Sequence, residues 1–200
     1  EHLEKDANGN ITSRTATSEY AEATSQEVGH ALPKFQGGFN TYMKYKGISL
    51  SMNFSYMYGN DVYNFTRKFM DNDGHEPYYN LMKWKEGWSR WAQPGDVATH
   101  PSIQNSALST ETSSRYLEKG SYLKLRNITL RYDIPQSIVK KMNLQQLSVS
   151  FSGDNLFTMT DYWGQDPEVT ITPGTYSMPG VSDFKYPPNK QFIFTLDVRF

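Results

Sequence analysis

Cysteine is absent from this 200-residue chain, which excludes disulfide bonds, thiol catalysis and thiolate metal sites. No apolar run approaches the ~18 residues that a membrane-spanning helix needs. The first residues also lack the pattern of a secretory signal peptide, so we expect a mature or truncated chain. The formal net charge is only −1, so no excess of positive charge indicates a nucleic-acid partner.

Catalytic and metal-binding patterns are also missing. The sequence has no G-x-S-x-G elbow, no phosphate-binding loop and no recognisable pair of catalytic carboxylates. Its histidines, His2, His30, His75 and His100, do not have the spacing of metal ligands. The acidic stretch 71–76 matches no cation motif, and we expect a solvated loop tip there. We therefore expect no enzymatic activity, no cofactor and no metal ion.

Aromatic residues, by contrast, are abundant. They make up 14% of the chain, whereas all hydrophobic residues together reach only 37%. A water-soluble core prefers leucine, isoleucine and valine, so this mixture is unusual for one. It is ordinary for a transmembrane β-barrel, in which every second side chain of a strand meets lipid and aromatic girdles mark the interfaces.

Apolar and polar residues alternate in several segments with the period of a β-strand. The clearest is ISLSMNFSYMY, residues 48–58, which has the ~9–11 residues needed to cross a bilayer as a tilted strand. Lys46-Gly47 predicts a tight hairpin turn from a strand over 39–45. The phase of the alternation changes within SYLKLRNITLRY, which predicts either a β-bulge near Asn127 or a strand whose upper part has left the membrane. Two further strands are predicted at 144–153 and 191–200, and PQSIVKKMN predicts a short helical turn.

The connections between these strands differ greatly in length. If the last strand runs toward the periplasm, the long segments 59–120 and 154–190 fall outside the cell. The short connections at 46–47 and 133–144 then fall on the periplasmic side. Short periplasmic turns and longer external loops are typical of bacterial outer-membrane barrels. The expected organisation is an extracellular loop at 1–32, then barrel strands over 33–200 that are interrupted by the two extracellular loops.

Several stretches resemble the C-terminal part of the SusC/RagA-like TonB-linked (TonB-dependent) outer-membrane transporters. They are SSRYLEKGSYLKLRNITLRYDIP, SVSFSGDNLFTMTDYWGQDPEV and KYPPNKQFIFTLDVRF, and PKFQGGFNTYMKYKGISLSMNFSYMYGNDVYN fits the hairpin that precedes them. The resemblance covers about residues 28–200. It implies an all-β fold, an antiparallel transmembrane β-barrel of about 22 strands with long extracellular loops. This chain would supply about five of those strands.

The resemblance also implies a function and partners. Such a protein imports oligosaccharides, or peptides, across the outer membrane of a Gram-negative bacterium. It draws energy from the TonB complex, and a SusD-like surface lipoprotein closes it as a lid. The plug domain and the segment that contacts TonB are absent from this chain. Five strands cannot close a barrel, and an open sheet would leave unpaired backbone groups in lipid at several kcal/mol each. We therefore expect a segment of a larger barrel.

The tryptophans are candidate substrate-binding residues in the external loops. Trp84, Trp88 and Trp91 are spaced so that a helix would place them on one face, and Trp163 follows the strand at 144–153. They could stack on sugar rings or seal against the lid. Alternatively, they pack the loop itself or lie in the interfacial belt. The nearby Asp166-Pro167-Glu168 is interpreted as a turn rather than a charged site.

The last strand carries apolar residues at alternate positions and ends on an aromatic residue. The resemblance implies that this strand is an assembly signal read by the barrel-assembly machinery. The residues concerned are Phe192, Phe194, Leu196, Val198 and Phe200.

Two alternatives belong to other classes of protein. A secreted β-sandwich that binds glycans through its tryptophans would be soluble in water and would bury its apolar faces between two sheets. A passive porin would need neither TonB nor a plug. The first alternative is distinguished by the exposure of the alternating apolar side chains.

Overall fold

The computed structural model describes residues 1–76, 78–103, 109–168 and 178–200. The chain forms two compact units, which we call the loop unit, Glu1–Gly29 with Asn64–Leu117, and the sheet unit, His30–Tyr63 with Glu118–Phe200. Within the described ranges, no helix has the length and apolar character required to cross a membrane.

The loop unit contains short elements. Its β1 (His2–Lys5) and β2 (Ile11–Thr15) form an antiparallel hairpin, although the sequence predicted a loop over 1–32. The helix α1 (Phe65–Met70) begins at Asn64, whose side chain accepts a hydrogen bond from the backbone N–H of Arg67 and so caps the first turn. Elements of this size leave little periodicity in a sequence. Single 3-10 turns lie before α1, at Tyr20–Glu22, and after it, at Ser114–Tyr116.

The sheet unit is dominated by a five-stranded antiparallel sheet. Its spatial order is β10-β8-β7-β4-β3. The strands are β3 (Phe35–Tyr45), β4 (Ile48–Tyr58), β7 (Tyr122–Asp133), β8 (Gln146–Thr160) and β10 (Gln191–Arg199). A second, three-stranded sheet has the order β6-β5-β9, with β5 (Asp61–Asn64), β6 (Leu117–Lys119) and β9 (Val181–Ser182).

The short connections agree with the sequence. Lys46 and Gly47 both have positive φ, 45° and 86°, which is the backbone of a type I′ hairpin turn. The connection from β7 to β8 contains α2 (Gln136–Val139) followed by a 3-10 turn at Lys140–Met142, so the predicted helical turn is confirmed. The strand β8 is longer than predicted, because it continues to Thr160 where a loop was expected from residue 154.

One face of the five-stranded sheet is apolar from edge to edge. On this face, residues that pair across neighbouring strands form rows of apolar side chains. One such row is Met43, Leu50, Leu130, Phe151 and Phe194. These side chains are not buried against another layer: Phe194 is 71% exposed and Phe151 is 48% exposed. A β-sandwich would cover this face with a second sheet, so that alternative is wrong. A continuous apolar face open to its surroundings is what lipid-facing strands require.

The opposite face of the sheet is polar and is made mostly of small side chains. Its rows pair Asn40 with Asn53 and Asn127, and Lys44 with Ser49 and Arg131. A single large apolar residue, Ile193, interrupts the alternation on β10.

A β-bulge keeps the apolar side chains of β7 on one face. Asn53 of β4 pairs with Asn127, whereas the next residue, Phe54, pairs with Leu125, so Arg126 is the extra residue. Because Arg126 and Asn127 both turn toward the polar face, the residues before and after them stay in phase. The predicted bulge near Asn127 is therefore confirmed. Opposite the bulge, β8 has two residues, Asn155 and Leu156, between the paired residues Asp154 and Phe157, whereas β7 has only Arg126 between their partners.

Candidate functional site

The most tightly organised charged cluster of the sheet unit lies where the polar face meets the connection after β8. Lys124 of β7 donates hydrogen bonds to both carboxylate oxygens of Asp166, at 2.6 and 2.7 Å, and to Oε2 of Glu168 at 2.6 Å. The guanidinium of Arg126 and the hydroxyl of Tyr122 both donate to Oε1 of Glu168. We call these residues, Tyr122, Lys124, Arg126, Asp166 and Glu168, the rim cluster.

The rim cluster is neutral; its Lys124 and Asp166 are buried, whereas Arg126 and Glu168 are partly exposed. Lys124 is only 3% exposed, and Asp166 is 7% exposed. Two cations face two carboxylates, so every buried charge has an opposite partner, which is the condition under which buried ions are tolerated. Burial alone would raise the pKa of Glu168, but the hydrogen bonds from Arg126, Lys124 and Tyr122 outweigh it and lower that pKa to about 2. The carboxylate therefore stays ionised throughout the physiological range.

The bulge supplies the second cation of this cluster. Arg126 is the extra residue of β7, and its Nε donates to the hydroxyl of Ser55 on β4 at 2.6 Å while its Nη2 reaches Glu168. In a strictly alternating strand, the side chain at position 126 would face the polar side, as Lys124 does, and the side chain at position 127 would face the apolar side. The bulge turns Asn127 to the polar side as well. The insertion thus gives the polar face one more position without disturbing the apolar rows. The prediction that Asp166-Pro167-Glu168 is a turn rather than a charged site is wrong, since both carboxylates form ion pairs, with Asp166 buried and Glu168 partly buried.

The beginning of the connection from Asp161 to Glu168 is also held in place by hydrogen bonds. The hydroxyl of Tyr162 shares a 2.6 Å hydrogen bond with that of Ser182 on β9, and burial raises the pKa of Tyr162 to about 12. The backbone N–H of Trp163 donates to Oε2 of Glu118 at 2.8 Å. This segment, residues 161–168, is therefore held at both ends, by Tyr162 and Trp163 near its start and by Asp166 and Glu168 at its end.

A second row of charges crosses the polar face near the hairpin turns. Asp133 lies between Lys44, at 3.0 Å, and Arg131, at 2.8 Å, and Arg131 also lies 3.6 Å from Asp197. The groove beside this row has a volume of 340 Å³. Lys44 keeps about half of its side chain exposed, so these pairs contribute little stability by themselves.

The loop unit contains a buried charged cluster around His100. Nε2 of His100 lies 2.8 Å from Oδ1 of Asp71, and Arg115 bridges Asp71, at 3.4 Å, and Asp73, at 3.1 Å. Arg67 lies 3.5 Å from Asp71, and Arg90 lies 3.3 Å from Asp73. The expectation of a solvated loop tip is therefore wrong for both aspartates, each of which is 2% exposed.

The same cluster has the geometry of a possible cation site. One ligand atom from each of Asp71, Asp73 and His100 lies within 4.8 Å of the others. However, three arginines already face the two carboxylates, and a metal ion would add charge to a group whose formal balance is +1. We interpret the cluster as an ion-pair network that holds the loop together.

Two of the tryptophans pack inside the loop unit. The rings of Trp84 and His100 are stacked at 4.5 Å and an interplanar angle of 16°, and the ring of Trp88 lies 4.9 Å from the same imidazole. The guanidinium groups of Arg90 and Arg67 lie over the Trp84 and Trp88 rings respectively, both at 4.9 Å. The segment that carries these residues is not a helix; it turns at Gly87. The spacing therefore does not produce a common helical face.

Trp91 and Trp163 are placed differently. Trp91 is 37% exposed and lines an open groove of 600 Å³ together with residues 96–102, in which Val97 is fully exposed. Trp163 belongs to the sheet unit and is half-buried. Four residues of the predicted assembly signal, Phe192, Phe194, Leu196 and Val198, lie on β10, an edge strand that pairs with β8, and Phe200 directly follows it.

Comparisons with known proteins agree with this architecture. No protein-family model matches the chain. TonB-dependent receptor P39 of Formosa agariphila is 30% identical over 176 residues, which is 86% of this chain and 17% of that receptor. TonB-dependent receptor P3 of the same organism is 27% identical over 186 residues, 91% of this chain and 18% of the receptor. The chain thus spans less than a fifth of the length of these curated relatives.

Solved structures with the same fold come from the RagAB peptide importer. In its closed-closed state the match has a TM-score of 0.77 and 28% identity, and it covers 98% of this chain and 20% of that chain. In the open-open state the TM-score is 0.75 with 26% identity, covering all of this chain and 20% of that one. An antiparallel sheet with one lipid-type face, matched in this way, defines the class: a segment of a transmembrane β-barrel. Within that class, the chain is a SusC/RagA-like segment of a TonB-dependent receptor.

Proposed function

We propose that this chain forms part of the wall of a TonB-dependent importer in the outer membrane of a Gram-negative bacterium. The apolar face of the five-stranded sheet carries this proposal, because its exposed rows fit contact with hydrocarbon. In this arrangement the polar face, with its serines and the rim cluster, lines the interior of the barrel. The longer connections, 59–120 and 154–190, then lie outside the cell, as does the segment 1–32.

The proposed cargo is an oligosaccharide or a peptide, and the proposed partner on the cell surface is a SusD-like lipoprotein. The solved neighbours are described as a peptide importer, which supports a peptide for this chain as well. Aromatic groups suit both kinds of cargo, since they stack on sugar rings and on apolar side chains. Energy comes from the TonB complex through parts of the protein outside this segment.

The test uses the full-length receptor in its native membrane. Uptake of labelled peptides and of labelled oligosaccharides is measured with TonB present and with TonB deleted, and the surface lipoprotein is sought by purification with the receptor. We expect uptake of one cargo class to be abolished without TonB. Uptake that continues unchanged without TonB would instead indicate a passive porin and overturn the proposal.

Among the tryptophans, we propose that Trp91 contacts cargo or the lid, because it lines an open groove beside the fully exposed Val97. Trp163 is proposed as a second contact, whereas Trp84 and Trp88 mainly support the loop. Trp91→Ala should weaken cargo or lid binding by about tenfold, the effect of a moderate interface residue. Tyr186→Ala is the matched control, since Tyr186 is an exposed aromatic residue outside the groove.

We also propose that the apolar side of β10 is recognised during barrel assembly. Phe192, Phe194 and Leu196 are all more than half exposed on this edge strand, so a second protein can contact them before the barrel closes. Phe194→Ser should reduce the amount of receptor assembled in the membrane more than Ile193→Ser, which changes the opposite face.

A further inference from the structure

The segment 161–168 is held against the polar face of the sheet by buried charges, although it belongs to a long connection. Such connections ordinarily lie over the surface and move more than the elements they join. Here Asp166 and Glu168 reach back to β7, where they meet Lys124 at 2.6 Å. A carboxylate that leaves these partners would leave a cation nearly buried and unpaired, which is strongly unfavourable.

The anchors lie at both ends of the segment. Near its start, Tyr162 is bound to Ser182 of β9 and Trp163 to Glu118 of β6, and at its end Glu168 is bound to Arg126. The first two anchors connect the segment to the three-stranded sheet, and the third connects it to the five-stranded sheet. While all three contacts are present, the segment cannot rotate about a single hinge.

Buried ion pairs of this kind also specify one arrangement. Lys124 has three N–H donors, and all three find carboxylate oxygens within 2.7 Å. Both oxygens of Glu168 are occupied as well, Oε2 by Lys124 and Oε1 by Arg126 and Tyr122. A shifted register of the segment would lose several of these bonds together.

We propose that the rim cluster locks the segment 161–168 onto the inner face of the barrel wall as a fixed rim of the passage, with Lys124 and Arg126 as its positioning residues. This inference rests on the proposed function in one respect, namely that the polar face lines the passage. The rim narrows the passage on this side by the thickness of one chain segment. The bulge at Arg126 is then part of the lock, because it supplies the second cation.

The lock is tested by amide hydrogen exchange of the full-length receptor in detergent or lipid, read by mass spectrometry over residues 161–168. Lys124→Met should raise exchange in this segment at least about 100-fold, since it leaves two carboxylates with one cation. Exchange in the strand residues 128–132 should stay unchanged, which separates a local lock from a general loss of stability. Lys44→Met is the matched control, because it removes a lysine from an exposed ion pair on the same face and should leave 161–168 protected.

Two further variants keep the test decisive. Glu168→Gln preserves the shape of the side chain and should raise exchange about tenfold or more, and it decides the question if Lys124→Met does not assemble. In the exchanged pair, Lys124→Asp with Asp166→Lys, protection should recover relative to either single change. Unchanged exchange in Lys124→Met or in Glu168→Gln, or no recovery in the exchanged pair, would overturn the lock. None of these readouts requires cargo, so a failed lock and a failed import assay are distinguishable.

Discussion

The orientation of the sheet in the membrane can be tested by placing the same charge at two depths on its apolar face. Ile128 lies in the middle of β7 and pairs with Met52, whereas Tyr132 lies near the hairpin end and pairs with Ile48. The two positions are four residues apart on the same strand and face the same way. At ~3.3 Å per residue and a tilt of ~40°, their depths differ by about 10 Å.

The size of the effect follows from this depth. Arginine on the lipid side of a barrel costs about 2–4 kcal/mol at the middle of the bilayer but only ~0–1 kcal/mol near an interface. Each variant is compared with alanine at the same position, which removes the contribution of the lost side chain. Ile128→Arg relative to Ile128→Ala should therefore cost about 2–3 kcal/mol more than the corresponding pair at Tyr132. That difference lowers the ratio of folded to unfolded protein by roughly 30- to 150-fold.

The measurement is the folding equilibrium of the full-length receptor in phospholipid vesicles across a guanidinium series. Folded protein is recognised by its faster migration on gels before heating. If arginine costs the same at both depths, or costs nothing beyond alanine at Ile128, the apolar face does not meet hydrocarbon and the reasoning fails.

Three other predictions concern the charged clusters and the bulge. The pKa of Glu168 is lowered in the folded state, so its stabilisation of the fold should be complete above its ordinary pKa of 4.5 and disappear as the pH falls toward about 2. The difference in unfolding free energy between the native protein and Glu168→Gln, measured from pH 7 to 3, checks this. Deleting Arg126 removes the extra residue and leaves Leu123 and Leu125 in phase with Ile128, so the deletion variant should still assemble, as should Arg126→Ala, as read from gel migration. Asp71→Asn should destabilise the loop unit by about 3–5 kcal/mol, since it removes the buried carboxylate that faces Arg67, Arg115 and His100, and faster limited proteolysis there, without change in the barrel, is the expected sign.

The strands were predictable because alternation is written in consecutive residues. The strand β4 runs from Ile48 to Tyr58, the same residues that alternate in the sequence. Even the bulge left a local trace, since the apolar positions change from odd to even numbers across Arg126. A period-two pattern records which face meets lipid, and a bilayer enforces that pattern along the whole strand.

The charged clusters could not be read in the same way. Asp166 and Glu168 sit in a stretch rich in proline, glycine and polar residues, and their partners Lys124 and Arg126 lie some forty positions earlier. Only the folded sheet brings the two stretches together. One signal was available: Lys124 and Arg126 are long cations close together on the polar side of β7, and buried cations need acidic partners.

The side-chain packing of the loop unit could not be predicted from the sequence for a related reason. Its tryptophans have helical spacing, but Trp84 and Trp88 contact His100 from an irregular segment that turns at Gly87. Spacing indicates a common face only where the backbone is a helix. The histidine that organises the cluster lies twelve residues beyond Trp88, which no short-range pattern connects to it.

The insertion at Arg126 has a practical consequence for making chimeric receptors. Exchanging the connection after β8 between relatives would separate Asp166 and Glu168 from the strand that holds them. A graft should therefore be cut on the hairpin side of Asn127 and of Gly153, so that the extra residues of both strands travel with the connection. Cut points chosen at the ends of the strands would transplant the two carboxylates without Lys124 and Arg126, the cations that hold them here.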